Sequence, residues 1–153
     1  MTKNKRIIAI ALTVVVISLT SFSFLQKASA EVEMTVYKSP TCGCCGKWIT
    51  HMEENGFKVK AVDVIEMNVV KEKYGINRNL ASCHTAVIDG YFIEGHVPAD
   101  DVKRLLSDKS DSKGLTVPGM PVGSPGMEMD DRVDAYQVLS VNNDGSTEVF
   151  NQY

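Results

Sequence analysis

Apolar positions along the chain switch between a period of two residues, which is typical of strands, and a period of three to four, which is typical of helices. The first β-branched run, residues 34–37, ends at Ser39-Pro40 and predicts a strand that leads into a turn. Apolar residues then recur at helical spacing over 48–52 and stop at Asn55-Gly56, a common helix end. The domain is therefore expected to begin with a strand followed by a helix.

The same alternation continues through the middle of the chain. Residues 57–62 predict a second strand, and residues 66–74 predict a second helix. Two further strands, over 83–88 and 91–94, are joined across Asp89-Gly90, a dipeptide that favours a tight hairpin turn. These elements extend the predicted order to β-α-β-α-β-β.

A third helix and a long loop follow. Pro98 opens the helix, and Val102 and Leu105 belong to its apolar stripe. Residues 114–129 are rich in Gly, Pro and Met, show no periodicity and predict a loop, whereas residues 136–151 predict a C-terminal β-hairpin. The predicted fold class is therefore α/β, a β-α-β-α-β-β-α domain with a Gly/Pro/Met-rich loop and a C-terminal β-hairpin.

The N-terminal segment is typical of an export signal. Basic residues between positions 3 and 6 precede an uncharged apolar stretch over 7–25, and Ala28-Ser29-Ala30 supplies small residues for cleavage. We predict a signal peptide over residues 1–30 and one domain over residues 31–153. Hydroxyl side chains dilute the second half of the apolar stretch, so a retained membrane anchor is the weaker alternative, and no stable membrane span is expected in the mature chain.

Charge excludes one class of partner. The chain has 16 Lys and Arg against 19 Asp and Glu, and cleavage after residue 30 would remove four of the cations and no anion. The remaining 12 positive and 19 negative charges give a formal net charge of −7. Because nucleic acid binding needs clustered Lys and Arg, no nucleic acid partner is expected.

The four cysteines are placed as a site rather than as a scaffold. Three of them, Cys42, Cys44 and Cys45, fall within four residues, and the fourth is Cys83. Export allows disulfides, but bridges among such close neighbours close no loop long enough to stabilise a domain. A C-x-x-C at a helix N-terminus favours thiolate, the form that both attacks disulfides and binds metals.

A set of thiolates is soft and selects Cu(I) or zinc over magnesium or calcium. Three cysteines and one histidine are an ordinary structural zinc set, yet adjacent ligands such as Cys44 and Cys45 fit a single tetrahedral ion poorly. Thiolates that bridge several ions fit this spacing better. Met120, Met127 and Met129 lie in the loop, and thioethers are soft donors that also suit Cu(I), although loop methionines are more often apolar contacts.

Two histidines and the tryptophan can be placed by geometry. His51 shares a helix face with Cys44 but lies ~10 Å further along the axis, so we expect a surface histidine that does not bind the same ion. His96 precedes the third helix and either hydrogen-bonds the loop or contributes to a metal site. Trp48 is expected in the core.

The order strand, turn, C-x-x-C and helix resembles the thioredoxin superfamily, and so does the stretch 83–91 with its Asp-Gly hairpin. In thioredoxins a cis-proline begins the corresponding strand and lies against the C-x-x-C. Cys83 and His84 occupy that neighbourhood here. A shared fold would bring four thiols and an imidazole together on one side of the domain.

Four motifs, in this order, resemble the CopG-type family of exported copper-resistance proteins. They are SPTCGCC (39–45), SCHTA (82–86), GY followed by EGHVP (90–98), and the stretch from GL through VPGMP to GSPGME (114–128). The resemblance covers about residues 34–129. It implies a thioredoxin-like fold, a periplasmic or cell-envelope location, and copper, as Cu(I), in a multinuclear thiolate-bridged cluster. The metal-binding residues it assigns are Cys42, Cys44, Cys45, Cys83, His84, Met120, Met127 and His96.

The main hypothesis is therefore an exported copper-binding protein that buffers Cu(I) or converts copper between oxidation states, with copper ions and other copper-handling envelope proteins as partners. An alternative is a periplasmic thiol-disulfide oxidoreductase that uses Cys42 and Cys45, with Cys44 or Cys83 as a resolving thiol. A third interpretation is a small secreted domain stapled by two disulfides.

Overall fold

A seven-stranded mixed sheet and three α-helices make up the part of the chain that the structure describes. The structure is a computed structural model, and it describes residues 33–153. The predicted signal peptide over residues 1–30 lies outside these residues. The elements are β1 (Glu33–Lys38), α1 (Gly43–Glu54), β2 (Lys58–Asp63), α2 (Met67–Lys73), a 3-10 turn (Arg78–Leu80), β3 (His84–Ile88), β4 (Tyr91–Glu94), α3 (Ala99–Asp108), β5 (Ser112–Thr116), β6 (Gln137–Asn142) and β7 (Thr147–Gln152).

The strands lie in the order β2-β1-β3-β4-β5-β6-β7. The pairs β1–β2 and β4–β5 are parallel, and the other neighbours are antiparallel. In the β1–β3 pair Lys38 lies opposite His84, so the start of β3 lies beside the end of β1. This register brings the residue before His84 close to the turn that leads into α1.

The predicted fold class and the element order β-α-β-α-β-β-α are confirmed, and so is the C-terminal hairpin, which is formed by β6 and β7. The loop predicted over 114–129 is wrong at its start, because residues 114–116 belong to β5. Glycine favours loops, but at Gly114 it serves the close pairing of β5 with β4. A Cβ atom on Gly114 would lie 1.9 Å from the carbonyl oxygen of Phe92.

Both faces of the sheet are covered. Ile93 of β4 belongs to the larger apolar cluster, which also takes in residues of α1 and α3. Its neighbour Phe92 points to the other face, into a smaller cluster with Ile76 and Leu80. Trp48 is fully buried in the larger cluster, as predicted, and its Nε1–H donates a hydrogen bond to the Val97 carbonyl at 2.9 Å.

Within residues 33–153, no helix combines the length and the apolar character needed to cross a membrane.

Candidate metal centre

The N-terminus of α1 carries three of the cysteines. Cys42 is the N-cap residue, and its Sγ accepts a hydrogen bond from the backbone N–H of Cys45 at 3.4 Å. Cys44 and Cys45 lie in the first turn, whose backbone N–H groups have no carbonyl partner within the helix. Cys45 is fully buried, whereas Cys42 and Cys44 are half-buried at the edge of the site.

Cys83 reaches these residues from the start of β3. Its Sγ lies 3.5 Å from that of Cys45 and 3.9 Å from that of Cys44. The four sulfur atoms all lie within 4.8 Å of one another. The β1–β3 register brings about this approach, which joins residues 38 and 39 positions apart in the sequence.

Two of the four sulfurs are bonded to each other. Cys42 and Cys45 form a disulfide, and Cys44 and Cys83 are free. The interpretation with two stapling disulfides is therefore wrong, because only one bridge is present among the four cysteines. Burial, and then the neighbouring Cys44, raise the pKa of the Cys83 thiol to about 12. Cys83 is thus a neutral thiol in this environment, and a metal that binds it must displace its proton.

His96 faces the cluster with a defined nitrogen. Its Nδ1 lies 2.8 Å from the carbonyl oxygen of Pro125, and since a carbonyl only accepts, Nδ1 carries the proton. Nε2 therefore presents its lone pair to Cys83 Sγ at 3.1 Å. His96 is fully buried, and burial lowers its pKa. A neutral imidazole fixed through its other nitrogen is the usual form of a metal-binding histidine.

His84 lies behind Cys83 in the core. Its Nδ1 is 3.4 Å from Cys83 Sγ, and its ring lies 4.4 Å from the Trp48 ring and 5.1 Å from the His96 ring between centroids. Burial first, and then the nearby His96 and Lys71, hold the pKa of His84 well below its usual range. Within residues 33–153, its Nε2 has no hydrogen-bond partner. Cys83, His84 and His96 form a second group with potential ligand atoms within 4.8 Å of one another.

The two methionines assigned to the site lie in loop segments that are attached beside it. Met120 follows Gly119, whose N–H donates to the Ala81 carbonyl at 3.2 Å and whose carbonyl accepts from the Ser82 hydroxyl. Met120 is half exposed, and Met127 is half-buried. The structure thus brings together the four cysteines and two histidines, and the methionines follow in loop segments whose backbone is attached nearby.

At Gly126, the loop segment that carries Met127 packs against α1. The φ of Gly126 is +85°, and a Cβ atom there would lie 2.8 Å from the Trp48 nitrogen and 2.9 Å from the Cys44 carbonyl oxygen. The loop backbone therefore packs directly on the helix turn that carries the cysteines.

The expectation that His51 is a surface histidine is wrong. His51 is half-buried, and its Nε2 accepts a hydrogen bond from the backbone N–H of Ala99 at 3.1 Å. Burial lowers its pKa. It supports the first turn of α3, where N–H groups lack partners within the helix.

A buried polar network beside Cys83 was missed by the sequence analysis. The fully buried carboxylate of Glu94 accepts from the Ser82 backbone N–H and from the Thr85 hydroxyl, both at 2.6 Å, and pairs with the buried ammonium of Lys71. Burial raises the pKa of Glu94, and Lys71 opposes this shift. Lys71 carries a charge and lies in a short helix, and lysines are mostly exposed, so the sequence contains no signal of its burial. Glu94 was visible only as part of a motif.

Fold and site together define a mixed α/β domain with a cysteine–histidine centre at a helix N-terminus. Residues 80–127 match a family profile described as "Protein of unknown function, DUF411". Two solved structures titled as copper resistance protein CopG, forms 2 and 1, are 48% and 49% identical to this chain, with a TM-score of 0.77 for each. Both matches cover 80% of this chain and 98% of the solved one.

The chain belongs to the CopG family, as its motifs indicated. No curated protein sequence matches the chain at a significant level.

Proposed function

We propose that this protein is exported and binds copper as Cu(I) in a multinuclear, thiolate-bridged cluster. The observation that carries the proposal is the set of four cysteine sulfurs within 4.8 Å of one another. His96 adds a neutral imidazole nitrogen 3.1 Å from one of these sulfurs. Thiolates and imidazoles are donors that suit Cu(I), and the similar solved structures are copper resistance proteins by title.

The donor set fits such a cluster only when the disulfide is reduced. In the oxidised state Cys42 and Cys45 share a bond, which leaves Cys44 and Cys83 as thiols. Reduction of the disulfide takes up two electrons and two protons and yields four cysteine donors. His84, Met120 and Met127 are the further candidates to complete the shell, because His84 has a buried nitrogen without a partner among residues 33–153 and the two methionines lie in loop segments attached to Ala81 and Ser82 and to α1.

Two uses of the bound copper are consistent with this chemistry. The reduced protein buffers Cu(I) by holding it among the four cysteines. Alternatively, oxidation of two Cu(I) ions to Cu(II) supplies the two electrons that reduce one disulfide, and the reverse reaction forms the disulfide again. In both cases, other copper-handling envelope proteins are the expected exchange partners.

A competition titration tests the proposal. The reduced protein is titrated with Cu(I) against a chelator under anaerobic conditions, for the wild type and for the variant Cys44→Ser/Cys45→Ser. We expect binding to weaken by more than the roughly 10–100-fold that is lost with an outer-sphere partner of a metal site. Thr50→Ala, an exposed position on the same helix, is the matched control and should bind like the wild type. Equal affinity in the wild type and the double variant would contradict the proposal.

A second function, thiol-disulfide exchange with other proteins, is favoured by the disulfide between Cys42 and Cys45 at a helix N-terminus. If it operates, the reduced, metal-free protein reduces a disulfide substrate and Cys42→Ser abolishes the activity. Activity that persists in Cys42→Ser would count against this function.

A further inference from the structure

Two stretches of chain beside the cysteines carry no charged residue. Residues 39–46 and 114–127 contain no Asp, Glu, Lys or Arg, although the whole chain has 16 basic and 19 acidic residues. Their exposed residues are Pro40, Thr41, Gly43, Gly119 and Met120. In both stretches, therefore, the part that reaches solvent consists of glycines and uncharged side chains.

Backbone contacts place these two stretches side by side. At Gly126 a Cβ atom would lie 2.9 Å from the carbonyl oxygen of Cys44, so the second stretch packs on the first. Nearer the start of the second stretch, Gly119 donates its N–H to the Ala81 carbonyl at 3.2 Å. Ala81 lies two residues before Cys83, whose Sγ is 3.9 Å from that of Cys44. Residues 39–46 and 118–127 thus adjoin the cysteine cluster, and we call them the uncharged face.

An exposed aliphatic side chain borders the uncharged face. β1 and β2 are parallel and end at the same edge of the sheet, where the Val64 N–H donates to the Lys38 carbonyl at 2.8 Å, directly before residue 39. Ile65, which follows, is 86% exposed, more than any other large apolar side chain among residues 33–153. Lys38 and Asp63 at this edge pair at 2.7 Å and add no net charge. Ile65 therefore extends an uncharged surface instead of interrupting a charged one.

We propose that two copies of this protein dock transiently through the uncharged face and pass Cu(I) directly from one cysteine cluster to the other. The proposal rests on the proposed function, Cu(I) binding. In each transfer, a cysteine sulfur of the receiving copy binds the ion and gives up its proton, and a sulfur of the donating copy releases the ion and takes up a proton. Copper remains Cu(I), so no oxidant or reductant is needed.

Charge favours a second copy as the occupant of this face. Residues 31–153 carry 12 positive and 19 negative charges, a formal net charge of −7, so two copies repel each other where their acidic surfaces meet. The uncharged face lets them meet without opposing like charges. The cores of protein interfaces are depleted in charged residues and enriched in methionine, which matches this face. Identical sites also exchange an ion without a change in free energy.

The accessible sulfurs lie within the face. Cys42 and Cys44 belong to residues 39–46 and are half-buried, whereas Cys45 is fully buried. A docked copy therefore meets the first two sulfurs before the third. Transfer needs only a brief contact, and weak transfer complexes bury less than about 1,200 Å² in total. We expect a monomer in solution that exchanges copper through short-lived pairs.

Nuclear magnetic resonance tests the docking without copper. Amide spectra of the reduced, metal-free, isotope-labelled protein are recorded over a series of protein concentrations. We expect shifts that grow with concentration and are confined to the uncharged face and Ile65. Ile65→Glu should abolish these shifts, because both copies then bring a negative charge to the contact. Val149→Glu is the matched control, because Val149 is 52% exposed on β7, at the opposite edge of the sheet from β2.

Isotope exchange tests the transfer. Untagged protein is loaded with one stable copper isotope as Cu(I), and affinity-tagged protein is loaded with the other, under anaerobic conditions. The tagged copy is captured at intervals, and mass spectrometry gives its isotope ratio. Direct transfer predicts that doubling the concentration of the tagged copy doubles the initial exchange rate. Release into solution before rebinding predicts a rate that does not depend on this concentration.

Charge variants complete the test. Exchange between two Ile65→Glu copies should be about 10-fold slower than in the wild type, and Ile65→Glu mixed with Ile65→Lys should recover the rate. Val149→Glu should exchange like the wild type, and all variants should keep wild-type Cu(I) affinity. The proposal is overturned if the rate is independent of concentration, if the spectral shifts are absent or lie elsewhere, or if Ile65→Glu and Val149→Glu behave alike. Failure of Cu(I) binding itself would appear in the competition titration, and the spectra would still decide whether the copies dock.

Discussion

At the residue scale, the position of the proton on a histidine ring determines which nitrogen can face the cysteines. His96 presents Nε2 to the cysteines only because a carbonyl from the distant residue Pro125 holds the proton on Nδ1. The sequence could suggest His96 as a ligand or as a loop contact. In the structure its Nδ1 makes the loop contact and its Nε2 faces Cys83. The sequence could not decide this, because the tautomer depends on a backbone atom 29 residues away.

His51 leads to a prediction about pH. Its Nε2 accepts the Ala99 N–H, and burial lowers its pKa below the usual 6.5. The unfolded chain therefore takes up a proton at a higher pH than the folded one, and the contribution of His51 is lost as the pH falls through and below about 6.5. We expect the free energy of unfolding, from urea denaturation, to decrease from pH 7.5 to pH 5.

The variant His51→Gln separates this residue from the other histidines. Its stability at pH 7.5 should fall by about 1 kcal/mol or less, the usual contribution of one hydrogen bond. The pH-dependent loss should be smaller than in the wild type, because one titrating group is gone. An unchanged pH profile in this variant would contradict the role assigned to His51.

At the element scale, periodicity predicts the helices and strands up to α3 well and the loop that follows less well. Periodicity indicates where apolar faces lie, but β5 has a glycine at its centre and only a short apolar run. That strand exists because of its partners, β4 on one side and β6 on the other. Pairing between strands far apart in the sequence is not visible in a local pattern.

The attachment of the loop to α1 gives a second prediction. Gly119 and Gly126 both have positive φ, +72° and +85°, but only Gly126 approaches another backbone. Either substitution by alanine should cost about 1–2 kcal/mol from the unfavourable φ. Gly126→Ala should cost clearly more, because its Cβ would meet the Trp48 nitrogen at 2.8 Å.

Gly119→Ala is the matched control, since no atom outside its chain neighbours lies within 4 Å of the Cβ position. Thermal unfolding of the two reduced variants measures the difference in stability, and the Cu(I) competition titration measures the effect on the site. Weaker Cu(I) binding is expected for Gly126→Ala, whose displaced loop also carries Met127. Equal losses in both assays would show that the close packing on α1 contributes nothing.

For the whole molecule, the sheet decides which distant residues meet. The sequence predicted that Cys83 would lie near the C-x-C-C segment from the likeness to thioredoxins, and the β1–β3 register has this effect. The C-x-x-C spacing offered Cys42 and Cys45 as one possible pair, because the two residues lie one helix turn apart. The ion pair of Lys71 with Glu94 could not be derived in this way, because it depends on the packing of α2 beside β3 and β4.

The buried ion pair holds the chain on both sides of Cys83. Glu94 accepts from the backbone of Ser82 and the hydroxyl of Thr85, and Lys71 donates to both Glu94 and Thr85. Removal of one partner leaves an uncompensated buried charge, so Lys71→Met and Glu94→Gln should each cost about 3–5 kcal/mol. The double variant Lys71→Met/Glu94→Gln should lose less than the sum of the two, because no unpaired charge remains.

Urea denaturation of the four reduced proteins gives this cycle, and the exposed pair of Lys103 with Asp100 provides the comparison. That pair lies on the surface of α3 with N···O at 3.3 Å and should contribute roughly 1 kcal/mol or less. If the network also positions Cys83, the double variant should fold yet bind Cu(I) more weakly than the wild type, since Glu94→Gln loses the charged acceptor for Ser82. Additive losses in the cycle would mean that Lys71 and Glu94 act independently, and wild-type Cu(I) affinity in the double variant would limit the pair to a role in stability.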